Sequence, residues 1–187
     1  MIKNIYIYLS ILLCMASADS YKEPEYTLIK KDGKIEIRKY SEYVIARTSI
    51  SKGDMELNNN MFRTLAGYIF GGNSKNESIP MTAPVITKNN DSDYDMIFFM
   101  LDAEETNQLP QPNSQNVTIE KMEIGKTASI SFGMWATESR VGRYKKKLDK
   151  YIRNNNLEIE SPLMVAQYNS PWTVPPFRKN ELIYKIK

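Results

Sequence analysis

Two stretches with a helical apolar period, each set between runs that alternate like strands, decide most of what this chain can become. In the first, Met61, Phe62, Leu65, Tyr68 and Ile69 recur at spacings that share one helix face. Asp54, after Gly53, is a good N-cap for it, and Gly71-Gly72 is a stop signal. In the second, from about Ser139 to Asn155, the face is Val141, Tyr144, Leu148, Tyr151 and Ile152. Its other side carries Arg140, Arg143, Lys146, Lys147 and Lys150, a pattern expected of a solvated face. Strands are expected before the first helix at Tyr26–Ile29, Ile35–Arg38 and Tyr43–Ile50, with Asp32-Gly33 as a hairpin turn. Val85–Thr87 and Tyr94–Leu101 follow it. The run Met96 to Leu101 is apolar on both faces and predicts a central strand. Around the second helix come Val117–Ile124, Lys126–Trp135, Leu163–Tyr168 and Leu182–Ile186. Strands, helix, strands, repeated once without a linker, predict an α+β fold: a distorted antiparallel β-barrel flanked by two helices, in two pseudo-symmetric halves.

Between the first helix and its next strand lies Pro80-Met81-Thr82-Ala83-Pro84-Val85. Two prolines four apart make this segment stiff, extended and poor in backbone donors. A helix with an apolar face beside it could wall a flat hydrophobic ligand. Both could equally pack a core.

The residues missing from the chain narrow its chemistry. It has no histidine and one cysteine, Cys14. Ser-His-Asp catalysis, His-ligated zinc and an imidazole ligand to haem iron are therefore excluded. The formal charge of +3 is too small to argue for nucleic acid. No pair of carboxylates stands at a diagnostic spacing. Glu181 or Glu36, with Tyr40, remain candidates for acid–base work if a pocket raises a carboxylate pKa.

Residues 1–18 read as a secretory signal peptide. Lys3 gives the positive start, Ile5 to Met15 an apolar core broken by Ser10, and Ala16-Ser17-Ala18 the small-residue cleavage pattern. The apolar run is shorter than the roughly 20 residues of a spanning helix. The mature chain, 19–187, would then lack thiols and rely on its core. Three sequons fit this route: Asn76-Glu77-Ser78, Asn90-Asp91-Ser92 and Asn116-Val117-Thr118.

From about Glu25 to its end the chain resembles the SOUL/haem-binding protein family. The landmarks are Ile35-Glu36-Ile37-Arg38-Lys39-Tyr40, Tyr68-Ile69-Phe70-Gly71-Gly72-Asn73, Pro80 to Val85, Phe98-Phe99-Met100-Leu101 and Arg178-Lys179-Asn180-Glu181-Leu182. Their order and spacing carry the resemblance. It implies a barrel of the effector-binding-domain type forming one domain over 19–187, a haem or related porphyrin as ligand, and no enzymatic activity. It also implies apolar contacts from Met61, Phe62, Leu65 and Ile69, with Arg178 and Lys179 pairing the propionates. Without histidine, binding would rest on apolar contact, and Tyr68 or Met61 is the remaining iron-ligand candidate. Burying roughly 300–450 Å² of porphyrin at ~25 cal/mol/Å² gives about 7–11 kcal/mol. Association costs on the order of 4–15 kcal/mol, so the affinity expected is modest. That suits a secreted or luminal carrier or scavenger, monomeric, without nucleic acid and without stable membrane insertion. A protein-interaction module with a vestigial pocket, a binder of another hydrophobic small molecule and a non-histidine hydrolase are the alternatives.

Overall fold

The computed structural model describes residues 21–53 and 58–187. The expected signal peptide and the Asp54 cap lie outside the described residues. Among the described residues nine strands form one antiparallel sheet: β1 (Tyr26–Asp32), β2 (Ile35–Tyr40), β3 (Glu42–Ser51), β4 (Val85–Asn89), β5 (Asp93–Phe99), β6 (Thr118–Glu123), β7 (Lys126–Phe132), β8 (Met164–Gln167) and β9 (Asn180–Lys185). Helix α1 (Asn58–Ile69) follows β3, and α2 (Glu138–Asn154) follows β7. The sheet order is β1-β2-β7-β9-β8-β4-β5-β3-β6. The sheet curls into a half-barrel, and near its ends the Tyr40 N–H donates to the Gly125 carbonyl at 2.9 Å.

The halves repeat. β3 lies between β5 and β6, as β7 lies between β9 and β2. β4 pairs with β8 where the halves meet. The expected architecture is therefore the observed one, and β5 is central, as its two-sided apolar run predicted.

That alternation builds three apolar layers. Ile45, Ile97, Phe99, Ile86, Ala166 and Ile183 fill the inside of the curl. Met96 and Phe98, pointing the other way from β5, pack under Met61, Leu65 and Ile69 of α1. Ile37, Ile130, Leu182 and Tyr184 pack under Leu148 and Ile152 of α2. Each helix buries one apolar stripe, which supplies most of its stability.

The stop after α1 has a steric cause. Gly72 donates to the Gly67 carbonyl at 2.8 Å, and a Cβ on Gly72 would stand 2.5 Å from that oxygen. Gly71 takes φ 101°, the left-handed region. Buried Asn73 then knits the turn. Its amide donates to the carbonyls of Tyr68 and Glu77 at 3.1 and 2.8 Å, and its oxygen accepts from Lys75 N and Glu77 N. The Gly-Gly-Asn landmark is thus a helix terminator.

Several strand ends differ from the sequence reading by one to three residues, and two of them have a local cause. β7 stops at Phe132, three residues before Trp135, because Met134 turns to φ 72°. β9 starts at Asn180, two residues before Leu182, since Asn180 pairs with Phe132 and its side chain donates to the Phe132 and Met134 carbonyls. One row of partners, Val85, Gln167, Asn180 and Phe132, crosses β4, β8, β9 and β7. The Pro80–Pro84 segment, the 168–179 loop and the 133–137 loop therefore leave the sheet at one rim.

Candidate functional site

The inside of the half-barrel holds a charged cluster among apolar side chains. Arg38 of β2 donates Nη1 to Glu181 Oε2 at 2.7 Å and Nη2 to Oε1 at 2.8 Å, a two-pronged pair across strands. The Glu181 side chain is 2% exposed. Tyr168 Oη donates to Glu181 Oε2 at 2.7 Å, and Arg38 Nη1 also donates to Tyr40 Oη at 3.1 Å. Arg38 Nε donates to Glu36 Oε2 at 2.7 Å, and the guanidinium lies 4.3 Å over the Tyr26 ring. Burial works against the Arg38 charge, but Glu181's hydrogen bonds and charge prevail and hold its pKa above the ordinary value. Burial pushes the Tyr40 phenol up to about 12 and Tyr168 well above its usual range. For Glu36, burial favours the acid, yet Lys31 and Arg38 win and lower its pKa. Ile35-Glu36-Ile37-Arg38 alternates apolar and polar, a pattern that by itself puts Glu36 and Arg38 on the wet side of a half-buried strand. The tertiary fold turns that side into the barrel and Ile37 toward α2. Local alternation therefore gives Arg38 no special role, whereas Glu36 and Glu181 stand among the acid–base candidates of the sequence.

A pseudo-symmetric counterpart sits in the other half. Asp95 of β5 accepts from Ser49 Oγ at 2.5 Å and Asn90 Nδ2 at 2.6 Å, with Arg47 and Lys88 each 3.6 Å away. Burial raises its pKa, but these partners outweigh it, so the net shift is downward. The cavity between Tyr40, Tyr168, Ile86, Phe99 and Ile183 measures only about 10 Å³. That is space for about one water. A porphyrin does not enter the barrel as folded.

The residues proposed on α1 lie on the opposite side of the sheet. Met61, Leu65 and Ile69 are buried, Met61 with 1% exposure. Phe62 is half-buried and meets Phe98 edge-on, with ring centroids 5.5 Å apart. Ile79, Met81, Val85 and Tyr94, also half-buried, pack against the same cluster. The stiff proline segment therefore does stand beside α1, joined by the Ile79 N–H to the Ile69 carbonyl at 2.8 Å. An open groove of about 290 Å³ lies by the first turns of the helix, lined by Ile50 and Met61 and by the polar side chains of Thr48, Ser49, Ser51, Asn60, Thr64 and Asn116. Tyr68 is buried and donates its hydroxyl to the Pro110 carbonyl at 2.9 Å.

Arg178 and Lys179 belong to the other half. Arg178 is buried. Nε donates to the Thr173 carbonyl at 2.9 Å, and Nη2 donates to the carbonyls of Pro171 at 2.6 Å and Ser170 at 3.3 Å. Its guanidinium lies 3.6 Å over the Trp135 ring. Lys179 is exposed, 3.7 Å over the Tyr168 ring, with Nζ 3.0 Å from Glu23. The structure thus gathers Met61, Phe62, Leu65 and Ile69 in one cluster. Among the described residues the hydrogen bonds and ring contacts of Arg178 and Lys179 do not reach α1. No cluster of acidic, histidine or cysteine side chains suited to a metal occurs among the described residues.

Solved structures share the architecture. A hydrolase from Listeria innocua superposes with TM-score 0.58 at 11% identity, covering 85% of this chain and 94% of that one. An uncharacterized conserved protein from Listeria innocua gives 0.61 at 11% identity, covering 82% and 92%. The EcmrR C-terminal domain gives 0.64 at 8% identity, covering 87% and 98%. At such identities the likeness shows the fold alone. No curated protein matches the chain. The SOUL heme-binding protein family matches residues 21–185. With the curled sheet, its two helices and a match over nearly the whole described chain, the protein belongs to the SOUL heme-binding family.

Proposed function

We propose that the protein is a secreted or luminal carrier or scavenger of haem or a related tetrapyrrole, held on the α1 side by apolar contact without an imidazole ligand. The family supports tetrapyrrole binding. The observation that carries the location is the contrast between the two sides of the sheet. The barrel interior offers about 10 Å³, whereas the groove beside α1 offers about 290 Å³. The latter is near the roughly 300 Å³ at which ligand pockets begin. Phe62, Met81, Val85 and Tyr94, half-buried in the α1 cluster, add apolar surface on the other flank of the helix, outside the groove lining. Met61, Leu65 and Ile69 support that surface from beneath. Arg178 and Lys179, fastened in the other half of the sheet, are not part of this ligand surface.

The role is binding, not catalysis. Both inward carboxylates of the Arg38 cluster, Glu181 and Glu36, are engaged by that guanidinium. Neither is free to act as a base.

Paired titration with haemin and protoporphyrin IX tests the reading. Both should bind the chain from Asp19 onward with comparable affinity, since the iron needs no protein ligand. Phe62→Ser should weaken both about tenfold. Met61→Asp is a poor probe, because it places a charge in the core. Failure of both porphyrins to bind at tens of micromolar would sink the proposal.

A further inference from the structure

The two tryptophans of this chain lie in loops held together at one rim of the sheet. Trp135 leaves β7. Trp172 sits in the Ser170–Phe177 loop before β9. Arg178 fastens the two loops, stacking on Trp135 and donating to three carbonyls of the second loop. Pro171, Pro175 and Pro176 stiffen that loop further, and Pro175–Phe177 form a 3-10 turn. On this fixed backbone Trp172 is 91% and Phe177 75% exposed, and Val174, Trp135 and Met134 are about half exposed. Scattered apolar side chains on a surface are ordinary. Five on two loops pinned by a buried arginine form a patch of the kind that marks a contact surface.

The charge beside the patch selects its partner. Arg140 donates Nη1 to the Trp135 carbonyl at 2.6 Å. Arg143 and Lys147 are exposed on the following turns of α2. The nearby acids are Glu138, in the first turn of α2, and Glu23, paired with Lys179. Aromatic tips on a stiff loop with cations beside them match the interfacial zone of an anionic bilayer. Tryptophan favours the headgroup level, and basic side chains gain from the surface potential.

We propose that this rim docks peripherally on anionic membranes, with Trp172, Val174 and Phe177 entering the interface and Arg140, Arg143 and Lys147 meeting the headgroups. Among the described residues no helix is long and apolar enough to cross a membrane, so the contact is superficial. It is independent of the α1 surface, which belongs to the other half of the sheet.

Tryptophan emission reads the contact directly, because both tryptophans are in the patch. The chain from Asp19 onward, which carries every described element, is mixed with phosphatidylcholine vesicles with and without phosphatidylserine. Emission should shift to the blue and the protein should cosediment, with binding at least tenfold stronger on the anionic vesicles. The Val174→Ser/Phe177→Ser variant, which keeps both tryptophans, should lose that binding while keeping its circular dichroism and haemin titration. The Arg143→Gln/Lys147→Gln variant should lose the preference for phosphatidylserine. No shift on anionic vesicles overturns the proposal, as does unchanged binding in the loop variant. Equal binding to both vesicle types removes the role of the cations. Dimerisation that disappears in the loop variant, without vesicle binding, reassigns the patch to a contact between copies.

Discussion

Replacing Arg38 with methionine tests how the barrel tolerates charge at its centre. In the wild-type protein Glu181 accepts two donors from Arg38 and one from Tyr168, and its side chain is almost sealed from water. Arg38→Met leaves Oε1 without a partner and Oε2 with the phenol alone. A buried carboxylate stripped of its cation costs about 3–5 kcal/mol. The reciprocal change, Glu181→Gln, should cost less, about 1.5–3 kcal/mol, the range for one hydrogen bond to a charged group. The reason is that Arg38 retains Glu36 at 2.7 Å. The double variant should be milder than the sum, because neither charge is then abandoned. Urea unfolding followed by far-ultraviolet circular dichroism gives all three values. An Arg38→Met cost below about 1 kcal/mol at neutral pH would refute the assignment of a costly buried pair.

The second charged cluster has its own pH dependence. The Asp95 pKa is lowered on folding, so its contribution is present above the unfolded value near ~4 and is lost as pH falls through the folded value. Asp95→Asn should flatten the acid limb of the stability curve, and an unchanged limb would contradict the role given to Ser49, Asn90, Lys88 and Arg47. Gly72→Ala forces a Cβ against the Gly67 carbonyl and should cost about 1–3 kcal/mol in the same unfolding assay, with a neutral result excluding the steric account. Tyr68→Phe leaves the Pro110 carbonyl without its hydroxyl donor and should cost about 1–3 kcal/mol. The same variant should leave the haemin Soret position unchanged, and a moved Soret band would make Tyr68 an iron ligand. If the chain passes through a glycosylating compartment, peptide mapping should find glycans at Asn76 and Asn116, both exposed. Asn90 should be unmodified, because its amide is held by Asp95 at 2.6 Å, and a glycan there would contradict that contact.

Much of the architecture was legible in periodicity. The residue sets Met61/Leu65/Ile69 and Leu148/Ile152 announced two helices, and the two-sided apolar run at Met96 announced the central strand. The Gly71-Gly72 stop was legible for the same local reason: a residue that must take positive φ or meet a backbone oxygen is chosen by sterics at that position. The α1 surface was partly legible. An apolar helix followed by Pro80 to Val85 suggested a wall, and the structure places Phe62, Met81 and Val85 around one cluster. Periodicity does not tell how deep each side chain sinks. Met61 and Phe62, neighbours in sequence, differ in burial because only one points squarely into the sheet.

The sequence by itself determined the class of element at each position, the missing imidazole chemistry and the membership that its ordered landmarks implied. Tertiary structure alone decided which way each strand faces. Ile35 to Arg38 alternates in the way a strand with one wet side does, yet the curl of the sheet makes that polar side the barrel interior. Arg38 can lie there because Glu181, 143 residues away in sequence, arrives on a strand two places across the sheet. Arg178 likewise resembled a free cation for a ligand until the fold set it under Trp135 and three carbonyls. Such pairings depend on long-range strand order, and local spacing carries no record of it.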